Sequence, residues 1–253
     1  MLKFKKSGYE CSAILQDGKC SLLGFEFVVT IVTNDYFFEL DICSMNTDKH
    51  KYWETIYETK APEEVSWTEK IPASSLNLIN QLQLSKNAAI IDVGGGDSNL
   101  VDFLLEAGYN NLTVLDISEN ALARAKNRLG KKAKKVKWIA ADILTYEQLQ
   151  HFDVWHDRAA FHFLTQPHEV NAYVNKVNTF VTGHLILGTF SVNGPLKCSG
   201  LPITQYTPEL VKPLFKNAFS LNGCINKDHI TPFGTEQNFL FCVFRKSKPD
   251  AMH

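Results

Sequence analysis

The sequence predicts a doubly wound α/β domain: a seven-stranded, mostly parallel sheet with helices on both faces and an antiparallel last strand. Three observations carry that prediction. From Ala88 onward, short apolar runs alternate with helical segments, the pattern of parallel strands joined by crossover helices. A triple glycine, Gly94-Gly95-Gly96, follows the first of these runs and opens a helix. The chain closes on two strand-like runs with no long helix between them, which requires a strand running against the rest.

In chain order, Phe25–Thr33 and Tyr36–Ile42 are rich in Val, Ile, Phe and Tyr and flank Asn34-Asp35, the pattern of a hairpin. Trp53 and Tyr57, four apart, share one face of a short helix. Ser74–Leu84 reads as a second helix, with Leu76, Ile79 and Leu82 in register. The core begins with a strand at 88–93. A helix over Asn99–Ala107 ends at Gly108, a residue suited to the C-cap. A strand at 112–117 leads to Ser118, an N-cap for a helix reaching Leu129 before Gly130. Strands follow at 136–143 and 152–159, a helix over Asn171–Phe180, and a strand at 184–190. After a loop of about fifteen residues, Pro208 takes the first position of a helix to Phe215. Phe219–Asn226 and Asn238–Arg245 are the last strands. The expected organisation is an extension at 1–44 that the fold does not need, a domain at 45–246 (lid helices 45–84, α/β core 88–246) and a tail at 247–253.

The 253 residues, 45% apolar and 21% charged, suffice for one sizeable core. Lys+Arg is 26 against Asp+Glu 27, so there is no broad positive field and no nucleic-acid or membrane partner is expected. Eight Lys and Arg between Arg124 and Lys137 read as the solvated end of a helix rather than an RNA patch. The six cysteines form no Cys-x-x-Cys pair and read as free thiols of a cytoplasmic protein. His156, His162 and His168 share no strand or helix face, so no metal site is expected. A monomer or weak dimer is expected.

The glycine turn reads Asp92-Val93-Gly94-Gly95-Gly96-Asp97-Ser98. In an open α/β sheet such a turn faces the ligand crevice, and glycines let the backbone approach a ligand closely. A dinucleotide fingerprint needs glycine at 99, where the chain has Asn99. Asp97 in the turn would also repel a pyrophosphate. The acids instead suit S-adenosylmethionine, which carries a sulfonium and an ammonium. Asp92 faces the ammonium in this reading. Asp116, with Ile117 beside it, ends the second strand and accepts both ribose hydroxyls. Asp142 accepts from the adenine amino group while Ile143 packs on the ring.

On these residues, the chain from about Lys49 to Lys246 resembles a class I S-adenosylmethionine-dependent methyltransferase, a Rossmann-like fold. Asp92-x-Gly94-x-Gly96 resembles that superfamily's first motif, with Ser98 in place of its third glycine. Asp116 and Ala141-Asp142-Ile143 resemble its ribose and adenine positions. The strings YWETIYETKAPEEVSW, DVGGGDS and FDVWHDRAAFHFL resemble a group of mostly bacterial methyltransferases of unassigned substrate. Protein-lysine methyltransferases are similar, but their fourth strand ends Asp-Lys-Gly where this chain has Asp157-Arg158-Ala159. Thiopurine S-methyltransferases are similar through an Asp-Arg pair in that place and a Gly-Pro loop after strand five. The resemblance implies an N-terminal segment that closes over the cofactor.

Other residues are read for the same reaction. Trp53 and Trp67 enclose the sulfonium by cation–π attraction, with Tyr57 toward the acceptor. His156 is the candidate proton acceptor and Asp157 orients the nucleophile. Arg158 is placed to hold a carboxylate, and Cys198 to touch substrate. The acceptor is expected to be a protein lysine or a small molecule. The competing expectations are a non-catalytic S-adenosylmethionine-binding protein and an NAD-dependent oxidoreductase.

Overall fold

A computed structural model describes the backbone of four short strands before residue 29 and all of residues 49–247. The chain divides into two units, Met1–Lys49 and His50–His253. In the first, β1 (Leu2–Lys6), β2 (Tyr9–Gln16), β3 (Lys19–Leu22) and β4 (Phe25–Val28) form an antiparallel sheet in sequence order. The expected hairpin begins at β4, yet β4 pairs back onto β3, with Leu22 opposite Phe25. The remainder of that hairpin lies outside the described residues. The sequence reading missed β1–β3, whose alternation of apolar and polar residues is short and interrupted by lysines.

The second unit opens with α1 (Lys49–Thr59) and α2 (Ala73–Gln81). The core follows as β5 (Ile90–Val93), α3 (Leu100–Glu106), β6 (Leu112–Asp116), α4 (Glu119–Leu129), β7 (Val136–Ala140), β8 (Phe152–Arg158), α5 (Pro167–Phe180) and β9 (Val181–Phe190). A small hairpin, β10 (Lys197–Cys198) and β11 (Leu201–Pro202), sits inside the long loop. Then come α6 (Pro208–Phe215), β12 (Phe219–Ile230) and β13 (Glu236–Lys246). The caps act as the sequence requires: Ser118 Oγ accepts from the Ala121 N–H at 3.1 Å, and Gly108 takes φ +88 after α3. α5 starts earlier than expected because Pro167 suits a first helical position.

The strand order is β12-β13-β9-β8-β5-β6-β7, with β5 to β9 mutually parallel. The last strand is antiparallel, as expected. It does not add to the edge but inserts between β9 and β12, antiparallel to both. Helices cover both faces. One face packs Leu78, Ile79, Leu100, Leu104 and Leu122 of α2–α4 against Val114, Val154 and Ile186. The other packs Tyr173, Val177 and Phe215 of α5 and α6 against Trp155, Leu185 and Phe244.

One cysteine expectation is corrected. Cys224 and Cys242 lie directly opposite each other on β12 and β13, with Cα atoms 4.1 Å apart, and form a disulfide. Their separation of 18 residues conceals a pairing that the antiparallel register creates. Among the described residues, no helix is long and apolar enough to cross a membrane.

Candidate active site at the crevice between β5 and β8

The chain runs outward from β5 in one direction through β6 and β7, then returns to β8 on the other side. Where the order reverses, the loops after β5 and β8 diverge and leave a crevice at the carboxyl ends of the strands. Asp92 pairs in register with His156, and Val93 with Asp157, so the two motifs meet there.

The glycine turn fits the close approach of a ligand. Gly94 and Gly96 adopt φ +67 and +51, a region that favours glycine. A Cβ on Gly95 would come within 2.7 Å of Asp92 Oδ2 and 2.8 Å of Val114. A Cβ on Gly96 would sit 2.7 Å from the Tyr57 hydroxyl and 3.3 Å from Asp116 Oδ2. Ser98 Oγ accepts from the Leu100 N–H at 3.1 Å, tying the turn to α3.

Three carboxylates converge on this turn. Asp92 and Asp116 are both buried. Burial pushes the Asp116 carboxyl up to about 7; the Ser118 and Gly96 N–H groups oppose this, and the charges of Asp97 and Asp92 add to it. Burial likewise raises Asp97, with Arg124 and Arg128 opposing. A cation entering here relieves that repulsion. Asp142 Oδ1 accepts from the Leu144 N–H at 2.8 Å, and Ile143 is buried beside it. Ile117 is half-buried after Asp116.

The raised Asp116 value yields a pH prediction. The unfolded carboxyl titrates near 4. Between about pH 4 and 7 the folded state therefore holds more protons than the unfolded one, and this group's contribution to stability falls as pH rises through that window. The melting temperature of the wild type relative to Asp116→Asn should decline from pH 5 to 8. A cationic ligand donating hydroxyl hydrogens favours the ionised form, so binding at pH 7 should release a fraction of a proton. Calorimetry in buffers of different ionisation enthalpy measures it.

The lid helix α1 lies over the turn. Trp53 is 5.7 Å from Trp67 and 5.2 Å from Phe163 between ring centres, and 6.4 Å from Tyr57. The Tyr57 hydroxyl stands over Gly96 beside Asp116. Two arginines fasten this assembly. Arg124 donates to the carbonyls of Tyr57 and Lys60 and lies 3.5 Å from Asp97 Oδ2. Arg128 donates to the carbonyls of Asp97 and Ser98 at 2.7 and 2.8 Å and pairs with Asp102. The sequence reading assigned both to a solvated face. Their four-residue spacing on α4 was the available signal, since it aims both at one neighbour.

β8 explains the next three residues by alternation. Val154 and His156 face α2, whereas Trp155 and Asp157 face α5. The structure places His156, the candidate proton acceptor, in the core. Its Nδ1 meets Asp92 Oδ1 at 2.7 Å and its Nε2 meets Ser75 Oγ at 2.8 Å, so both nitrogens are engaged in the core. Asp157 is fully buried and accepts from the Ala160 and Phe161 N–H groups at 3.0 and 3.1 Å and from the Tyr173 hydroxyl. Burial pushes its carboxyl up to about 6, against those three donors. Ala159 takes φ +71 where the lysine methyltransferases carry glycine.

Arg158 stays at the crevice, beneath the segment Trp67–Glu69. Glu69 lies between Arg158 and His229 of β12, at 3.4 and 3.3 Å. Burial raises the Glu69 carboxyl, but His229 and Arg158 outweigh it and hold it below its ordinary value. The sequence reading singled out neither Glu69 nor His229. Cys198 is buried against the Phe190 and Phe239 cluster, and burial pushes its thiol up to about 12. Among the described residues no group of His, Cys, Asp and Glu could hold a metal ion.

Residues 90–181 match the family described as a methyltransferase domain. EEF1A lysine methyltransferase 2 of Danio rerio is 28% identical over 140 residues, 54% of this chain. The match spans 57% of that relative's length. The fold is similar to Burkholderia thailandensis 1,6-didemethyltoxoflavin-N1-methyltransferase with bound 1,6-didemethyltoxoflavin and S-adenosylhomocysteine, at TM-score 0.61 and 15% identity, covering 94% of this chain and 100% of that one. It is also similar to a SAM-dependent methyltransferase from Anabaena variabilis, at TM-score 0.64 and 14% identity, covering 81% and 96%. Residues 90–181 thus resemble a methyltransferase domain, and the chain has the Rossmann-like fold of these methyltransferases.

Proposed function

We propose that the protein transfers a methyl group from S-adenosylmethionine to a small-molecule or protein acceptor. The observation that carries this reading is the convergence of buried Asp92 and Asp116 and half-buried Asp97 on a glycine turn within the matched segment. Such a turn attracts a cationic ligand and rejects a pyrophosphate.

The cofactor, when bound, supplies a methyl group on a sulfonium, already a good leaving group, so alignment carries most of the catalysis. Asp116 would hold the ribose hydroxyls, and Asp142 with Ile143 would hold the adenine. Trp53 and Trp67 would flank the cation and exclude water. His156 is a positioning residue that fixes Asp92 between the glycine turn and α2. Asp157 is a positioning residue for the turn carrying Ala160, whose Cβ lies where a Cβ on Gly94 would fall.

Incubation with methyl-labelled S-adenosylmethionine and a cell extract tests the activity. Label on protein identifies a protein acceptor, and label in the small-molecule fraction identifies a metabolite. Cofactor binding with no label transferred in any fraction favours a non-catalytic binder.

We also propose that residues 1–44 are dispensable. A chain beginning at Met45 should melt within a few degrees of the full chain and bind S-adenosylmethionine equally well. Loss of soluble expression or of binding would show that the segment belongs to the core or the lid.

A further inference from the structure

The acceptor side of the crevice holds buried hydrogen-bond donors that nothing accepts. The Arg158 side chain is 12% exposed, and its Nη1 donates to the Trp67 carbonyl at 2.9 Å. Its Nε and Nη2 are shielded from solvent and make no hydrogen bond among the described residues. These two groups share one edge of the guanidinium, the edge that takes both oxygens of a carboxylate. Glu69 Oε1 lies 3.4 Å from Nη2, within ion-pair reach but without hydrogen-bond geometry, and the same oxygen is shared with His229 Nδ1.

His162 supplies a further donor. The Phe190 N–H donates to its Nδ1 at 3.3 Å, which leaves the ring proton on Nε2. That Nε2 is buried and has no partner. The two side chains border one aromatic wall. Arg158 lies 5.0 Å from the centre of Phe239, His162 lies 4.7 Å from Phe190, and Phe190 and Phe239 are 4.8 Å apart. Buried donors are ordinarily paired, and unpaired ones at a crevice point to an acceptor that arrives with a ligand.

We propose that this crevice takes a methyl acceptor bearing a carboxylate, held through both oxygens on the Nε–Nη2 edge of Arg158, with its apolar part against Phe239. The inference rests on the methyl-transfer reading and names its substrate class. Glu69 is the internal place-holder. The incoming carboxylate displaces it from Arg158, and Glu69 stays paired with His229. A lysine ammonium would instead meet Arg158 as a like charge.

The test uses the full chain with S-adenosylhomocysteine and two probes, 3-phenylpropionate and its neutral amide, with binding followed by NMR titration. The carboxylate should bind at least about tenfold more tightly than the amide, the worth of one hydrogen bond to a charged group. Arg158→Gln should abolish the preference. Glu69→Gln should tighten carboxylate binding, because it removes the competing charge, and it gives an independent readout should Arg158→Gln fail to fold. Failure of both probes to bind, equal affinities, or a preference that survives Arg158→Gln would overturn the inference. S-adenosylhomocysteine binding in the same samples separates the two levels. Intact cofactor binding without a carboxylate preference sinks this inference alone, whereas absent cofactor binding sinks the methyl-transfer reading.

Discussion

Asp157→Ala is expected to destabilise the protein by about 3–4 kcal/mol, because three buried donors lose a charged acceptor together. For a domain of this size that corresponds to a melting temperature lower by roughly 6–16 °C. The Ala160 and Phe161 N–H groups and the Tyr173 hydroxyl all point at this carboxylate. The Tyr173 hydroxyl in turn accepts from Trp155 Nε1 at 2.8 Å, so the damage reaches the core between β8 and α5. Asp157→Asn should cost less, since an amide oxygen still accepts from the two backbone groups. A thermal melt of both variants decides the role. Unchanged stability of Asp157→Ala with lost turnover would assign the residue to the reaction instead.

Asp116→Ala is expected to weaken S-adenosylhomocysteine binding by about 1.5–3 kcal/mol, the worth of hydrogen bonds to a charged group. That is roughly a ten- to hundredfold rise in Kd by calorimetry. Fold stability should change little, and removing a buried charge near Asp92 and Asp97 offsets the lost bond from the Ser118 N–H, 2.8 Å from Asp116 Oδ1. The contrast with Asp157 is the informative part. One carboxylate has three donors from its own chain, and the other is raised to about 7 by burial against two backbone donors. Unaltered Kd in Asp116→Ala would remove this residue from the cofactor site.

The residues proposed for the cofactor are legible in the sequence because they are local. A glycine turn, the acid before it and an acid at each following strand end occupy single loops, and the parallel alternation stacks those loops on one edge. The acceptor half was less legible because its contacts are long-range. Glu69 and His229 are 160 residues apart in sequence and meet only because β13 inserts beside β9 and carries β12 outward. His156 and Asp157 looked alike as adjacent polar residues at a strand end. The pleat sends them to opposite faces, one to Ser75 and the other to Tyr173. Arg124 and Arg128 lay hidden in a run of eight basic residues, where charge count suggests solvent and geometry shows clamps. The disulfide escaped notice for the same reason as the acceptor site, since register and not spacing brings Cys224 to Cys242.

The most direct test of the central claim is a calorimetric titration of the full chain with S-adenosylhomocysteine and, separately, with NAD. The glycine turn with its three converging carboxylates predicts saturable one-site binding of S-adenosylhomocysteine and no heat of binding from NAD. Binding of NAD without binding of S-adenosylhomocysteine would contradict the account and favour an oxidoreductase on the same fold.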